Sequence, residues 1–195
     1  MHPIVIATNN AHKIKEIHEI LAGSFAVKGL KEIGCTEELP ETTGTIPGNA
    51  VQKAQYVQQH YGVDCFADDS GLEIDALNGA PGVDTAHYAG PERDADANMN
   101  LVLQQLEGRE DRSARFRTVI ALIFDGALHT FEGIVEGRIA MQKSGADGFG
   151  YDPIFIPEGY TETFAELPSE VKNTISHRAR AVTQLKTFLA ARTRS

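Results

Sequence analysis

Two long apolar segments joined by a tight turn place the strongest limit on how this chain can fold. Residues 115–124 and 128–139 have the composition of long strands, and Asp125-Gly126 between them is a strong signal for a two-residue hairpin. Segments of strand and helix character precede this hairpin, as in α/β proteins. An antiparallel hairpin added to such units predicts a mixed sheet rather than a purely parallel one.

The chain opens with a strand, a polar turn and a helix. Pro3–Thr8 is a short apolar run that predicts a buried strand, and Asn9 and Asn10 offer side chains that cap helices. Helical spacing follows until Gly23, with apolar residues at Ile14, Ile17, Ile20 and Leu21. Further strands are predicted at 25–30, 65–67 and 72–77, further helices at 49–61, 95–106 and 176–192, and loops at 37–48 and 145–153.

Length and composition limit the functions that are open to the chain. Its 195 residues, 42% of them hydrophobic, suffice for a core, and we assign residues 1–195 to one domain, with two closely joined lobes as the alternative. A net charge of -9 repels the phosphate backbone, so no nucleic-acid partner is expected. A small phosphate ligand is still allowed, because a metal ion and a few lysines reverse the local charge in a cleft.

The sequence also predicts a compartment. Cys35 and Cys65 are the two cysteines, too few for a disulfide framework and without the spacing of a metal-binding pair. The first residues lack the basic region of a signal peptide, and no apolar stretch approaches the roughly 20 residues that span a bilayer. We therefore expect a cytoplasmic protein without a membrane partner.

The sharpest local feature is the run Asp68-Asp69-Ser70-Gly71, which we expect to form a tight acidic turn directly after the strand at 65–67. Carboxylate oxygens suit Mg²⁺, which proteins hold through one or two carboxylates together with substrate phosphates. One carboxylate could bind the metal while the other activates water. The alternative is a solvated turn, or a carboxylate that caps the next element, and the sequence leaves the two interpretations about equal.

Groups suited to phosphates lie at two predicted helix starts. The segment Thr8-Asn9-Asn10-Ala11-His12-Lys13 combines backbone N–H groups that favour anions with the cation of Lys13, although taken alone an ordinary asparagine cap is the commoner explanation. Glu41 and Lys53 flank the start of the second helix. They suit a metal ion and a phosphate oxygen, but a weak surface pair is the alternative.

Two later segments carry groups suited to a nucleoside. In Gly148-Phe149-Gly150-Tyr151-Asp152-Pro153, a ring could stack on a base and Asp152 could accept hydrogen bonds from the base or ribose; a glycine-rich turn with Phe149 in the core is the alternative. Hydrogen-bond donors cluster around the start of the last helix, at Lys172, Ser176, His177 and Arg178. Donors aimed at O6 of hypoxanthine or xanthine would be left unpaired by adenine, at about 1–3 kcal/mol each. Ordinary solvation of the helix, with His177 as a cap, is the alternative.

Together these segments resemble the inosine triphosphate pyrophosphatase family, the RdgB-like dITP/XTP pyrophosphatases. The similarity runs in family order through TNNAHK, NAVQKA, ADDSGLEIDALNGAPGV, GFGYDPIF and FAELPSEVKNTISHRARA. It implies an elongated mixed sheet flanked by helices, with two lobes around a central nucleotide cleft, and a homodimer. It also implies hydrolysis of ITP, dITP and XTP to the monophosphate and pyrophosphate at a metal site. We predict Mg²⁺ as the cofactor, and the sequence leaves open whether Mn²⁺ substitutes for it.

The resemblance assigns roles to individual residues. Asp69 is the implied general base and a metal ligand, with Asp68 and Glu41 as its partners at the metal. The implied substrate-binding residues are Thr8, Asn9, Asn10, Ala11, His12, Lys13, Lys53, Ser70, Phe149, Gly150, Tyr151, Asp152, Lys172, His177 and Arg178. The chain departs from the family pattern at Gly48, which replaces a glutamate, and at His87, which replaces an arginine.

Two rival functions are compatible with parts of the sequence. A Maf-like nucleotide pyrophosphatase shares the general fold but prefers other nucleotides, and the SHR and GFGYDP segments argue against it. A non-catalytic nucleotide-binding module would not need the carboxylates of Asp68, Asp69 and Glu41. The sequence does not rank ITP, dITP and XTP as substrates.

Overall fold

The structure is a computed structural model that describes residues 3–21 and 23–192. Its strands are β1 (Ile4–Ile6), β2 (Val27–Lys28), β3 (Cys65–Ile74), β4 (Ser113–Phe124), β5 (Ala127–Ile139) and β6 (Phe155–Pro157). Its α-helices are α1 (Ala11–Leu21), α2 (Ile46–Tyr61), α3 (Ala95–Gln105), α4 (Ser169–Ile175) and α5 (His177–Arg192). Short 3-10 helices lie at Leu30–Ile33, Asp75–Leu77, Gly82–His87 and Asp152–Ile154.

The strands form one six-stranded sheet in the order β2-β1-β3-β4-β5-β6. β1 runs parallel to β2 and β3, whereas β5 runs antiparallel to β6. The predicted turn joins β4 to β5, and its residues Asp125 and Gly126 have φ angles of 48° and 76°. Two positive φ angles are what a type I′ hairpin turn requires. The predicted mixed α/β sheet flanked by helices is confirmed.

The first strand, turn and helix also follow the prediction. Asn10 Oδ1 accepts hydrogen bonds from the backbone N–H groups of His12 (3.0 Å) and Lys13 (3.2 Å), so Asn10 caps α1. The helix then buries Ile17 and Leu21, at positions where the apolar spacing placed its inner face.

The start of α2 differs from the prediction. We expected a loop through Gly48 and a helix from residue 49, but the helix begins at Ile46. The Thr45 hydroxyl accepts a hydrogen bond from the Gly48 N–H at 3.0 Å and so caps the helix. Pro47 is tolerated in the first turn, because an N–H there would have no partner within the helix.

The acidic run that we expected to be a tight turn is part of a strand. β3 extends without interruption from Cys65 to Ile74 and unites segments that were predicted as separate strands. Residues 75–77 form a 3-10 helix rather than a strand end. The turn at Asp68–Gly71 was therefore wrong. β3 lies between β1 and β4, and pairing at this central position outweighs the low strand preference of Asp, Ser and Gly.

The chain divides into two compact units. Unit 1 contains the described residues up to Asp69, Thr118–Gly133 and those from Arg178 onward. Unit 2 contains Ser70–Arg117 and Ile134–His177. The boundaries fall within β3, β4 and β5 and directly before Arg178. The assignment of residues 1–195 to a single domain stays a prediction.

Each unit has its own apolar core. In unit 1 the core unites side chains of β1, α1, β3, β4 and α5, among them Phe66 and Leu185. In unit 2 it unites side chains of β3, α3, β4, β5 and β6, among them Leu72 and Phe155. β3 therefore contributes to both cores. None of the helices within residues 3–21 and 23–192 combines the length and the apolar character needed to cross a membrane.

Candidate active site

The two aspartates of β3 face different helices of unit 1. Successive side chains of a strand point to opposite faces of the sheet. Phe66 packs in the core with α1 and α5, whereas the Cys65 thiol lies 3.3 Å from the carbonyl oxygen of Ala54 in α2. By this alternation, Asp68 faces the side of α1 and α5, and Asp69 faces the side of α2.

Asp68 is fully buried among cations. Its Oδ2 atom lies 3.1 Å from Nζ of Lys13 and 3.5 Å from Nε of Arg178. Its backbone carbonyl accepts a hydrogen bond from Nζ of Lys53 at 2.7 Å. Burial alone would raise the pKa of the Asp68 carboxyl, but the positive charges of Lys13, Arg178 and Lys53 outweigh burial and hold this pKa well below its usual range. Asp68 is therefore ionised and fixes the cations around it.

Lys13 lies in the first turn of α1, next to exposed backbone. Burial lowers the pKa of the Lys13 ammonium, and the charge of Asp68 opposes that shift. The residues before it, Asn9 to His12, are exposed, and Thr8 accepts a hydrogen bond from the Asn10 N–H at 3.1 Å. Because Asn10 already accepts hydrogen bonds from the N–H groups of His12 and Lys13, it is the Lys13 ammonium, together with the helix dipole, that favours a bound anion here.

Arg178 links Asp68 to a residue that the sequence analysis missed. The Arg178 guanidinium is buried, and it donates a hydrogen bond from Nη1 to the carboxylate of Glu16 in α1. Burial lowers the pKa of Arg178, but the carboxylates of Asp68 and Glu16 outweigh it, so the net shift is upward. Glu16 follows Lys13 by one helical turn, so both lie on one face of α1. This spacing can be read from the sequence, but the contact with Arg178 cannot.

Asp69 has a pKa displaced in the opposite direction. Only 9% of the residue is exposed, and burial raises the pKa of its carboxyl to about 6, with the charges of Glu41 and Asp68 adding to the rise and those of Lys53 and Lys13 opposing it. Glu41 accepts a hydrogen bond from Nζ of Lys53 at 2.6 Å. A buried carboxyl with a pKa near neutrality, held beside lysines, suits a general base.

A divalent cation fits part of this group. Across the described ranges 3–21 and 23–192, no group of three or more His, Cys, Asp or Glu side chains is arranged to hold a metal ion. Mg²⁺ commonly needs only one or two carboxylates, together with water and substrate phosphates. Glu41 is near enough to raise the pKa of Asp69, and a cation bound by both would offset that repulsion. The predicted set of Asp69, Glu41 and Asp68 as metal ligands stays a prediction.

Gly48, the first departure from the family pattern, lies in the first turn of α2. A Cβ atom at this position would lie 2.3 Å from Oγ1 of Thr43 and 2.5 Å from Oγ1 of Thr45. Both distances are far below van der Waals contact. Threonine side chains therefore occupy the space in which a glutamate at position 48 would begin.

In unit 2, Asp152 holds the predicted glycine-rich loop. Its Oδ2 atom accepts hydrogen bonds from the Phe149 N–H at 2.9 Å and from Nζ of Lys172 at 2.7 Å. The same ammonium lies 4.9 Å from the centroid of the Phe149 ring, which is a cation–π distance. Lys172 belongs to α4, a helix that the sequence analysis did not predict. The structure thus brings Phe149, Asp152 and Lys172 together.

The remaining predicted residues of unit 2 are largely buried. The Tyr151 hydroxyl donates a hydrogen bond to the Thr85 carbonyl at 2.7 Å. The His177 ring is stacked on Phe116, with a centroid distance of 4.7 Å and an interplanar angle of 15°. Ser70 is half-buried in β3. These contacts fix the orientations of the Tyr151 and His177 rings.

His87, the second departure, lies at the surface of unit 2. Its Nε2 atom is 3.3 Å from Oδ1 of Asp84, and the two side chains are 47% and 62% exposed. Such a pair contributes little to stability. The position that an arginine occupies in the family pattern is therefore used here for a local surface contact.

Most of the predicted residues belong to two groups, each within one unit, whereas Thr8–His12 lie before or at the start of α1 and Ser70 lies in β3. The carboxylate–lysine group of unit 1 consists of Lys13, Glu41, Lys53, Asp68, Asp69 and Arg178, to which the structure adds Glu16. The second group, in unit 2, consists of Phe149, Gly150, Tyr151, Asp152, Lys172 and His177. We had expected Arg178 beside Lys172 and His177, but its contacts described above belong to the first group. A single cleft that contains both groups stays a prediction.

Fold and site define an α/β protein with a mixed sheet and a carboxylate–lysine group on a central strand. Residues 4–188 match the model of the Ham1 family, and the chain belongs to that family. A dITP/XTP pyrophosphatase from Flavobacterium johnsoniae is 54% identical over 188 residues, which cover 96% of this chain and 98% of that protein.

Two further comparisons agree with this family. A dITP/XTP pyrophosphatase from Porphyromonas gingivalis is 55% identical over 190 residues, covering 97% of this chain and 98% of that protein. The solved structure of the Staphylococcus aureus Ham1 protein superimposes with a TM-score of 0.89 at 39% identity, covering 97% of this chain and 99% of that chain. The resemblance to the inosine triphosphate pyrophosphatase family is thereby confirmed.

Proposed function

We propose that this chain hydrolyses non-standard purine nucleoside triphosphates, namely dITP, ITP and XTP, to the nucleoside monophosphate and pyrophosphate. The similar proteins from F. johnsoniae and P. gingivalis are named dITP/XTP pyrophosphatases, which supports this substrate class. The observation that carries the proposal is the geometry of the carboxylate–lysine group: Asp69 is buried, Lys13 lies 3.1 Å from Asp68, and Lys53 lies 2.6 Å from Glu41. Removal of deaminated purines from the nucleotide pool is the corresponding biological role.

Asp69 acts as the general base. Above its pKa of about 6 the carboxyl is mostly ionised, so at neutral pH it can accept a proton. It takes this proton from a water molecule whose oxygen bonds to the α-phosphorus. The bond between that phosphorus and the α,β-bridging oxygen breaks, and pyrophosphate leaves with the electron pair.

The cations of unit 1 stabilise the negative charge of the triphosphate. Lys13 and Lys53 supply ammonium groups, and the positive end of the α1 dipole adds to their field. Asp68 holds Lys13 in place through its carboxylate and Lys53 through its backbone carbonyl. Mg²⁺, when held by Asp69 and Glu41, would add charge neutralisation at the phosphate oxygens.

Selectivity for the purine is assigned to donors in unit 2. Lys172 is buried and His177 is fixed by stacking, so each would present its donors with little freedom. Adenine carries an amino group where hypoxanthine carries O6, and donors aimed at O6 would then lose their partner. For Arg178, the contacts with Asp68 and Glu16 support a positioning role in the carboxylate–lysine group, and its predicted contact with the purine stays a prediction.

The position of bond cleavage tests the reaction. Purified protein is incubated with dITP and MgCl₂ in ¹⁸O-enriched water. The products are separated, and their masses are determined by mass spectrometry. We expect dIMP and pyrophosphate, with the ¹⁸O label in dIMP, because water attacks the α-phosphorus. The products dIDP and orthophosphate would contradict the proposal. Parallel reactions with dATP, dGTP and dUTP, and with EDTA in place of MgCl₂, test the purine preference and the metal requirement.

A matched pair of variants tests the base. Asp69→Asn keeps the shape of the side chain but cannot accept the proton, so we expect its turnover of dITP to fall about 10²–10⁴-fold while dITP still binds. Asp75→Asn makes the same substitution at an aspartate that pairs with Arg115 outside the group, and we expect it to retain turnover. Near-normal turnover by Asp69→Asn would show that Asp69 is not the general base. Homodimer assembly stays a prediction from the resemblance, cytoplasmic location stays a prediction from the sequence, and substitution of Mg²⁺ by Mn²⁺ stays open.

A further inference from the structure

The loop that carries Glu41 is attached to α2 by one buried amide. Asn49 is only 3% exposed. Its Oδ1 atom accepts hydrogen bonds from both the backbone N–H of Thr43, at 3.1 Å, and the Thr43 hydroxyl, at 2.8 Å. Asn49 therefore fixes both the backbone and the side chain of a residue that follows Glu41 by two positions.

A second pair of hydrogen bonds joins the same loop to α2, between Thr42 and Gln52. The Thr42 N–H donates to Oε1 of Gln52 at 2.8 Å, and Nε2 of Gln52 donates to the Thr42 hydroxyl, also at 2.8 Å. Gln52 is adjacent in sequence to Lys53, which donates to the Glu41 carboxylate at 2.6 Å. The three successive loop residues 41–43 are thus each hydrogen-bonded to a residue in the first turns of α2. Glu41 is held by its bond to Lys53.

Thr43 also performs the task that a glutamate at position 48 could perform. In a capping box, a glutamate in the first turn accepts a hydrogen bond from the N–H of the capping residue. Here the Thr45 N–H donates instead to the Thr43 hydroxyl oxygen at 3.3 Å. Gly48 leaves the space for this arrangement, because a Cβ atom there would lie 2.3 Å from that oxygen. Gly48, Thr43 and Asn49 therefore form one connected arrangement.

We propose that Asn49 and Thr43 are positioning residues that hold the Glu41 carboxylate against Lys53 for the reaction. The inference rests on the proposed function, in which Glu41 acts beside Asp69. The Glu41 side chain is 41% exposed, so burial does not fix it. A carboxylate on an exposed loop loses backbone entropy as well as side-chain entropy when it binds a cation. Attachment of its backbone to α2 reduces that loss.

Metal binding provides a test that does not depend on turnover. Mn²⁺ is titrated into the full-length protein by calorimetry, and hydrogen exchange of residues 41–45 is followed in the same samples. In Asn49→Ala we expect the dissociation constant for Mn²⁺ to rise about tenfold, as for other residues that orient a metal ligand. We expect faster exchange of the Thr43 amide, whose acceptor has been removed. The Mg²⁺ concentration for half-maximal hydrolysis of dITP should rise in parallel.

Conservative variants separate positioning from folding. Asn49→Asp keeps an acceptor at Oδ1 and should restore Mn²⁺ affinity to within about threefold of the wild type. Thr43→Val removes the hydroxyl at nearly constant volume and should weaken Mn²⁺ binding, whereas Thr43→Ser should not. Thr43 lies in an exposed part of the loop, so these variants test the inference even if Asn49→Ala does not fold. Because Thr43 and Asn49 act through each other, the double variant should lose less than the sum of the single effects.

Asn98 provides the structural control. It is also 3% exposed, and its side chain accepts from the Ala89 N–H and donates to the Ala86 carbonyl in unit 2. Asn98→Ala should lower the melting temperature without changing the Mn²⁺ dissociation constant. If Asn49→Ala and Thr43→Val behave in the same way, Asn49 and Thr43 are structural and the inference fails. If the wild type itself neither binds Mn²⁺ nor requires a divalent ion for turnover, the metal-dependent function fails instead.

Discussion

Asp68 and Asp69 are neighbours in sequence, yet the pKa values of their carboxyl groups move in opposite directions. Both groups are buried, and burial alone raises both pKa values. Asp68 overcomes that cost because Lys13 and Arg178 lie at hydrogen-bonding or ion-pair distance. Asp69 has weaker compensation, because the charge of Glu41 partly cancels that of Lys53. One carboxyl is thereby kept ionised, and the other exchanges its proton near neutral pH.

The raised pKa of Asp69 predicts the acid limb of the pH–rate profile. A general base must be unprotonated, so kcat/KM for dITP should rise with pH and then level off. The pKa of Asp69 is about 6 without a metal ion, and Mg²⁺ bound by Asp69 would lower it, so the limb should lie at or below about 6. Steady-state rates measured at constant ionic strength and saturating Mg²⁺ would show this limb. The residual activity of Asp69→Asn should lack it. If Asp69→Asn still shows the acid limb of the pH–rate profile, the group that titrates there is not Asp69.

Prediction of single residues from the sequence had clear limits. Lys13, Glu41, Lys53, Asp68 and Asp69 were identified because charged residues next to predicted strand ends and helix starts are conspicuous. Glu16 was missed because a glutamate within an amphipathic helix resembles any solvated residue. Its importance follows from a partner, Arg178, that is distant in sequence. Sequence spacing within one helix does not reveal such a long-range contact.

At the scale of elements, Asp152 determines the shape of the 148–152 loop. Gly148 and Gly150 both have left-handed backbone, with φ angles of 79° and 62°. A Cβ atom at Gly148 would lie 2.2 Å from Oδ2 of Asp152, whereas nothing lies within 4 Å of a Cβ atom at Gly150. Alanine at Gly150 would therefore cause backbone strain alone, whereas alanine at Gly148 would cause strain and also displace the Asp152 carboxylate.

This difference predicts unequal effects of alanine. Gly150→Ala adds only the strain of a left-handed alanine, about 1 kcal/mol. Gly148→Ala adds similar strain and also pushes the Asp152 carboxylate away from Lys172 and the Phe149 N–H. If this loop binds the nucleoside, KM for dITP should rise at least about tenfold more in Gly148→Ala than in Gly150→Ala, as expected when a charge-assisted contact is lost. Equal KM values would exclude Asp152 as the support of a substrate-binding loop.

Elements were predicted well where the local sequence determines their secondary structure, and poorly where pairing within the sheet determines it. The hairpin at Asp125-Gly126 and the cap of α1 depend on local chemistry, and both were identified. β3 was not, because Asp-Asp-Ser-Gly is typical of turns and only pairing between β1 and β4 makes it a strand. α4 was missed because seven residues carry too little periodicity to indicate a helix.

At the scale of the whole molecule, burial of Asp69 should lower stability at neutral pH. The pKa of its carboxyl rises from its ordinary value of 3.8 to about 6 on folding, so the folded state binds the proton more tightly. Stability therefore falls as pH rises through this interval, by an amount on the order of 2–3 kcal/mol. Asp69→Asn removes this cost. We expect the variant to be more stable than the wild type at about pH 8, and the gain to shrink toward about pH 4.

Urea unfolding at a series of pH values measures this difference. Asp68→Asn should behave in the opposite way, because the lowered pKa of Asp68 contributes stability above the unfolded pKa of about 4, and this contribution is lost as pH falls toward the folded value. Its substitution also leaves Lys13 and Arg178 without their buried counter-charge. A difference between Asp69→Asn and wild type that does not vary with pH would contradict the assigned shift.

The uninterrupted course of β3 has an evolutionary consequence. Because side chains alternate along the strand, Asp68 faces α1 and α5 and Asp69 faces α2. Which helices each aspartate meets therefore depends on whether its position in the strand is even or odd. Deleting or inserting one residue between Cys65 and Asp68 would exchange the two environments, even though the acidic pair itself would remain intact. A point substitution alters one side chain, whereas a change of parity exchanges the surroundings of both carboxyl groups together. We therefore expect the chain to tolerate substitutions in this stretch better than changes in its length.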